Sequence, residues 1–214
     1  MSSCKFIRSS LLYSGAILMF CSAAASSVAA EPVRQAPTLE TAVFAGGCFW
    51  GVDAVFKHVQ GVSNVVSGYA GGSAATANYE MVSAGTTGHA EAVRVSFDPA
   101  QVSYQQLLEV FFGVAHDPTQ LDRQGPDVGS QYRSAIFHIS PEQQQLAQRH
   151  IQRLAAARIF SDPVVTQVVP LQQFYPAEDY HQNYLALHPN QPYIVMHDLP
   201  KLAQLRKQFP ALYR

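Results

Sequence analysis

Apolar and polar positions fall into short blocks that predict a definite order of elements. Residues 41–45 (TAVFA) form a brief apolar run, which predicts a buried strand. Gly46-Gly47 breaks it. Over residues 48–58, Phe49, Val52 and Phe56 recur at helical spacing and predict a helix with one apolar side. Gly61 stops it, and residues 62–69 suit a strand. In residues 90–97, Val93, Val95 and Phe97 alternate with Ala92, Arg94 and Ser96, the pattern of a strand with one buried face. Ser103 followed by Gln106 reads as a capping box for a helix carrying Leu107, Leu108, Phe111 and Phe112. Residues 133–139 are strand-like, and Ser140-Pro141-Glu142 opens a polar helix reaching about Arg158. Residues 164–169 predict a strand and 179–187 a short helix. The polar stretches 70–89 and 116–132 read as long loops, a length often tied to function. After Pro189 the tail is expected to wrap the surface, with one more short helix near 199–208.

The order is strand, helix, strand, strand, helix, strand, then further elements. It predicts an α+β single domain with a ferredoxin-like split βαβ core, a mixed sheet flanked by helices, and a long wrapping tail. The 214 residues are 48% hydrophobic and 14% charged, an ordinary globular composition of one-domain length. Net charge is −1 and no basic stripe occurs, which excludes a nucleic-acid binder that works through the phosphate backbone.

The first thirty residues change the picture. Lys5 and Arg8 form a basic head, residues 11–21 are mostly apolar, and small residues lead to Val28-Ala29-Ala30. This is the layout of a secretory signal peptide, and its apolar part is too short for a membrane span. Cleavage is expected after Ala30, giving a periplasmic or secreted protein with no stable membrane insertion. Residues 31–40 then form a linker and residues 41–214 the domain. A lipoprotein cysteine at Cys21 is disfavoured by bulky Phe20. Removal of the leader takes Cys4 and Cys21 with it, so Cys48 becomes the single thiol of the mature chain. No internal disulfide can form, although exported proteins meet oxidising surroundings.

Cys48 follows a strand and a Gly-Gly pair and begins a helix. Unpaired backbone N–H groups and the helix dipole favour thiolate there. A buried structural cysteine is the bland alternative. Phe49 and the only tryptophan, Trp50, come next, either as core aromatics or as an apolar wall for a methyl or thioether group. Glu91 begins a strand where it leaves a loop. Beside a thiol pocket it could hold a raised pKa and donate a proton; otherwise it is a solvated carboxylate. Tyr79, Asp127 and Tyr132 lie in the two long loops, where tyrosine hydroxyls can bond a polar substrate oxygen. None of the eight histidines forms a metal-binding motif, and His181 and His188 are too loosely spaced to argue for a ligand pair. No metal and no bound cofactor are expected.

Five segments resemble the A-type peptide methionine sulfoxide reductases, in that family's order and spacing. They are 44–51 (FAGGCFWG), 68–79 (GYAGGSAATANY), 88–99 (GHAEAVRVSFDP), 116–134 (HDPTQLDRQGPDVGSQYRS) and 174–184 (FYPAEDYHQNY). The resemblance implies that Cys48 is the nucleophile and that Phe49 and Trp50 hold the substrate methyl group. It implies that Glu91 protonates the sulfoxide oxygen, that Tyr79 and Tyr132 bond it, and that Asp127 supports them. Gly47 fits the family's glycine-rich turn. Two departures stand out. Asp53 occupies a position where the family usually has glutamate, and no recycling cysteine follows Cys48.

The implied activity is reduction of the S epimer of free and protein-bound methionine sulfoxide, with Cys48 passing through a sulfenic acid. An external thiol reductant, thioredoxin-like or another dithiol, would recycle it. In an exported protein a membrane-delivered thiol relay is expected. Two alternatives remain beside this reading. One is a cysteine-dependent hydrolase or acyltransferase with His89 as base; the other is a binding module in which Cys48 is merely buried.

Overall fold

The computed structural model describes residues 38–214 and the isolated Ser10. The leader read over residues 1–30, apart from Ser10, and most of the linker lie outside the described residues. The described chain opens on β1 (Glu40–Gly46), followed after Gly47 and Cys48 by α1 (Phe49–Lys57). Next come β2 (Val62–Ala70), α2 (Tyr79–Ser83) and β3 (Ala90–Phe97). α3 (Tyr104–Val110) carries the Ser103–Gln106 capping box and runs into a π turn over Phe111–Ala115. A small ladder, β4 (Arg123–Gln124) and β5 (Asp127–Val128), precedes β6 (Ser134–His138). α4 (Pro141–Ala156) is capped by the Ser140 side chain, which accepts from the Gln143 N–H. The chain finishes with β7 (Gln167–Pro170), β8 (Phe174–Pro176), α5 (Tyr184–Leu187) and α6 (Leu199–Gln208).

Six strands form one sheet in the order β7-β6-β1-β3-β2-β8. The inner four, β6-β1-β3-β2, pair antiparallel throughout, which is the split βαβ arrangement expected from the element order. β7 extends one edge parallel to β6, and β8 extends the other antiparallel to β2.

β1 is apolar on both sides because both sides are covered. Ala42 and Phe44 face the helical layer, where Phe44 stacks on Phe56 at 5.1 Å and on Phe111 at 4.9 Å. Val43 and Ala45 face a second cluster with Ala92, Phe137 and Phe174.

Four local expectations change. The segment 70–89 is not all loop: the Asn78 side chain accepts from the Met81 N–H and caps α2. The strand expected at 164–169 begins only at Gln167, because pairing with β6 runs from Ala135↔Gln167 to His138↔Pro170. The helix expected at 179–187 divides into a 3₁₀ turn (Asp179–His181) and α5, separated by Asn183 in the left-handed conformation at φ 56°. The tail does more than wrap: Ile194, Asp198 and Leu205 are completely buried.

The topology gathers the loops at one end of the sheet. β1 finishes at Gly46, opposite Ser134 where β6 begins. β2 ends and β3 begins at the same edge, with Tyr69 paired to Glu91. The turn after β1, the loop between β2 and β3, and the loop before β6 therefore meet there.

Candidate active site

Cys48 is the N-cap of α1, in a non-helical conformation (φ −52°, ψ 123°). Gly47 before it sits at φ +90°, which L side chains rarely adopt. A Cβ at Gly47 would lie 2.5 Å from Gln124 Cγ, so the turn also needs glycine for its contact with β4. Gln124 is pinned there: its Oε1 accepts from the Asp117 N–H at 3.1 Å and its Nε2 donates to the Asp117 carbonyl at 2.9 Å. Beneath Gly46 lies His116, bonded to the Phe111 carbonyl and to Ser134 Oγ. Burial holds its pKa down at about 4, so it is a neutral structural ring.

Glu91 is only 2% exposed, not a solvated strand end. The N–H of Phe49, the residue after the thiol, donates to Glu91 Oε2 at 3.0 Å. Burial pushes the carboxyl up to about 8; the Phe49 N–H opposes that rise, and the Asp127 charge adds to it. At neutral pH Glu91 is therefore protonated. It is an acid held at the first turn of the helix that Cys48 caps.

The thiol itself corrects an expectation. A helix start was expected to lower the Cys48 pKa, but the group is raised well above the ordinary thiol value. Burial is the largest cause, followed by the charges of Glu91 and Asp198; the Trp50 N–H only partly offsets them. The magnitudes explain the outcome. A helix terminus contributes about 0.3–2 kcal/mol, whereas full burial can shift a group by roughly 3–5 pKa units. With Glu91 neutral, its share of that repulsion disappears.

Tyr79, at the start of α2, and Tyr132, in the 3₁₀ turn before β6, both lie near Glu91, Asp127 and Cys48. Both hydroxyls are pushed up, first by burial and then by the charges of Glu91, Asp127 and Cys48. They are neutral hydrogen-bond donors. The loops are stapled together: Ser130 Oγ donates to the Gly85 carbonyl, and Gln131 Nε2 to the Ser83 carbonyl. Arg133 donates to the carbonyls of Gly88 and His89. Asp127 accepts a hydrogen bond from the Tyr193 hydroxyl.

Phe49 is buried against Tyr69 and His181, with ring centroids 5.9 and 5.0 Å apart. Trp50 is partly buried. The Tyr184 ring stacks on it at 3.6 Å and 5°, Tyr193 meets it edge-on, and its Nε1–H donates to His181 Nδ1 at 3.2 Å. Burial lowers the His181 pKa, and the bond from Trp50 requires a neutral ring that accepts at Nδ1.

Sequence reasoning missed the tail's contribution. His181, Tyr184, Tyr193 and Asp198 all join the site's surroundings from residues 178–198. Glu178 also acts here: it accepts from the Tyr69 hydroxyl at 2.8 Å and from the Tyr79 N–H at 2.9 Å, tying β2 to α2. The segment 174–184 stands out as a motif, but nothing in its spacing says which strand or helix it covers.

His89, the base needed by a cysteine hydrolase, is committed elsewhere. Its Nδ1 accepts from the Gly72 N–H and its Nε2 bonds the Ser73 carbonyl at 2.9 Å. Among the described residues no group of three or more His, Cys, Asp or Glu side chains is placed to hold a metal. No helix among them is long and apolar enough to cross a membrane.

Known proteins resemble this chain over most of its length. The family model described as peptide methionine sulfoxide reductase matches residues 40–212. The peptide methionine sulfoxide reductase MsrA 2 of Mesorhizobium japonicum is 56% identical over 180 residues, covering 84% of this chain and 92% of that protein. The corresponding MsrA of Deinococcus radiodurans is 51% identical over 170 residues, 79% of this chain and 82% of its own. Among solved structures, methionine sulfoxide reductase A of Corynebacterium diphtheriae superposes with a TM-score of 0.64 at 37% identity, covering 74% of this chain and 79% of that one.

Proposed function

The chain belongs to the peptide methionine sulfoxide reductase family, and from that premise we propose that Cys48 attacks the sulfoxide sulfur while Glu91 protonates its oxygen. As a family member it is an oxidoreductase, a peptide-methionine (S)-S-oxide reductase that repairs oxidised methionine. The observation that carries the residue assignment is the Glu91 carboxyl: buried, protonated at neutral pH, and bonded to the backbone of the residue next to the thiol.

A sulfoxide sulfur becomes electrophilic when its oxygen is protonated or strongly hydrogen-bonded. Tyr79 and Tyr132 supply neutral donors for that oxygen, and Glu91 supplies the proton. As Glu91 protonates the oxygen, the Cys48 sulfur attacks the substrate sulfur and gives up its own proton to the carboxylate left on Glu91; the S–O bond then breaks as the hydroxyl passes to Cys48, and methionine leaves. The cysteine sulfur is oxidised to a sulfenic acid and the substrate sulfur is reduced to a thioether. Phe49 and Trp50 seat the methyl group and so select one epimer.

Cys48 is the only cysteine after residue 30, so a thiol from outside the chain must reduce the sulfenic acid in two steps through a mixed disulfide. The leader-like first thirty residues support an exported protein, cleaved after Ala30, that draws on a membrane-delivered dithiol relay. Both free and protein-bound methionine sulfoxide fit an aromatic wall that contacts only the thioether end.

The test incubates protein beginning at Glu31 with dithiothreitol and separated methionine sulfoxide epimers. Selective loss of the S epimer, with one sulfenic acid per chain when the reductant is withheld, is the expected result. Turnover by Cys48→Ser protein would sink the assignment. Mass spectrometry of the N-terminus from cells tests cleavage, and recovery of solely cytosolic partners as mixed disulfides would overturn export.

A further inference from the structure

α1 presents Trp50, Asp53, Ala54 and Lys57 at helical spacing, so they form one stripe. The tail covers that stripe from end to end. Tyr184 and His181 hold Trp50, while Leu185 and Ile194 pack on Ala54. At the far end Lys57 Nζ donates to Asp53 Oδ2 at 2.8 Å and to Asn183 Oδ1 at 2.6 Å.

The connection to Trp50 runs through the backbone of Asn183. This residue is held at φ 56°, ψ 27°, directly before α5, and its conformation fixes where the Tyr184 ring emerges. A non-glycine residue in that region is disfavoured, least so for Asn. Asp53 is costly too: it is 2% exposed, and its Oδ1 has no hydrogen-bond partner. Two unfavourable local choices therefore meet at one ammonium group.

We propose that Asp53, Lys57 and Asn183 form a positioning clamp that fixes the orientation of Trp50 and thereby how tightly the site holds the substrate methyl group. The inference rests on the reading of Trp50 as a wall of the substrate pocket. None of the three clamp residues touches the reacting atoms. They act through Tyr184, so their removal is expected to raise KM and to leave the chemical step nearly unchanged.

Trp50 is the only tryptophan in the chain, so its fluorescence reports on this ring alone. Lys57→Met keeps the apolar stem and removes the ammonium. Asn183→Gly keeps the left-handed turn and removes only the amide; it carries the test if Lys57→Met does not fold. The expected result for either is a changed Trp50 emission and easier quenching by acrylamide. KM for N-acetylmethionine S-sulfoxide should rise roughly three- to tenfold, with kcat within about twofold. Lys57→Arg, which keeps the charge, should recover part of the loss.

A Trp50→Phe variant separates the two readings. If Trp50→Phe leaves KM unchanged, the pocket-wall reading fails. If Trp50→Phe raises KM but Lys57→Met and Asn183→Gly move neither fluorescence nor KM, the clamp alone fails. If Lys57→Met raises KM as much in the Trp50→Phe background as in the wild type, the two residues act independently and the clamp is overturned. A fall in kcat at constant KM would overturn it as well.

Discussion

The corner around Cys48 and the tail over residues 178–198 build one site by opposite means. The corner is local: Gly46, Gly47, Cys48, Phe49 and Trp50 are consecutive, and one backbone turn sets their placement. The tail is remote: His181, Tyr184 and Tyr193 reach Trp50 and Asp127 across 66 to 143 positions of sequence, and their value depends on where the chain returns. The corner carries the reacting atoms and the tail shapes their surroundings. A change in the corner should therefore remove activity, and a change in the tail should tune it.

The largest expected effect is that of Cys48→Ser, which removes the nucleophile. Turnover should fall by more than about 10⁴-fold with the circular dichroism spectrum and Tm nearly unchanged. Retained reduction of the S epimer would break the comparison at its centre.

Glu91→Gln should follow, slowing turnover by roughly 10²–10⁴. The wild-type rate should decline as pH rises through about 8, where Glu91 loses its proton, and this limb should vanish in the variant. Stability has a definite sign. The folded pKa of about 8 lies above the ordinary 4.5, so the folded state holds the proton while the unfolded state releases it. Stability contributed by neutral Glu91 is complete below about 4.5 and is lost as pH rises to about 8. Denaturant titrations at pH 6 and pH 9 should show Glu91→Gln gaining on the wild type at the higher pH, by a few kcal/mol. An equal difference at both values would contradict the buried acid.

Gly51→Ala joins the two regions. Its Cβ would lie 2.1 Å from Asp198 Oδ1 and 2.6 Å from Lys201 Nζ, where the tail presses a buried carboxylate against the first turn of α1. Overpacking of about 1–3 kcal/mol is expected, read as a lower Tm together with a several-fold loss of activity. An unchanged Tm would mean that the tail does not bear on the corner.

The smallest effect belongs to Tyr193→Phe. It deletes the hydroxyl that donates to Asp127 and leaves the edge-on ring against Trp50. KM is expected to rise about two- to tenfold, the scale of one lost hydrogen bond. A loss as large as that of Glu91→Gln would place Tyr193 among the reacting groups and erase the distinction between corner and tail.

The amino-acid sequence determined the elements and the chemistry that is written in neighbouring residues. Alternation in β3, the Ser103–Gln106 box and the Ser140-Pro141 helix start were all legible, because caps and one-sided burial act over a few residues. The Gly-Gly-Cys-Phe-Trp turn was legible for the same reason. Only the tertiary structure decided the protonation of that site. The Cys48 pKa follows burial rather than the helix start, since desolvation depends on every atom packed around the thiol. It also decided that Glu91 bonds the Phe49 N–H across 42 positions, that His89 is occupied by a loop backbone, and that the tail closes over Trp50. Propensity and spacing are properties of neighbours along the chain, whereas dielectric surroundings, ring stacking and shared hydrogens belong to neighbours in space.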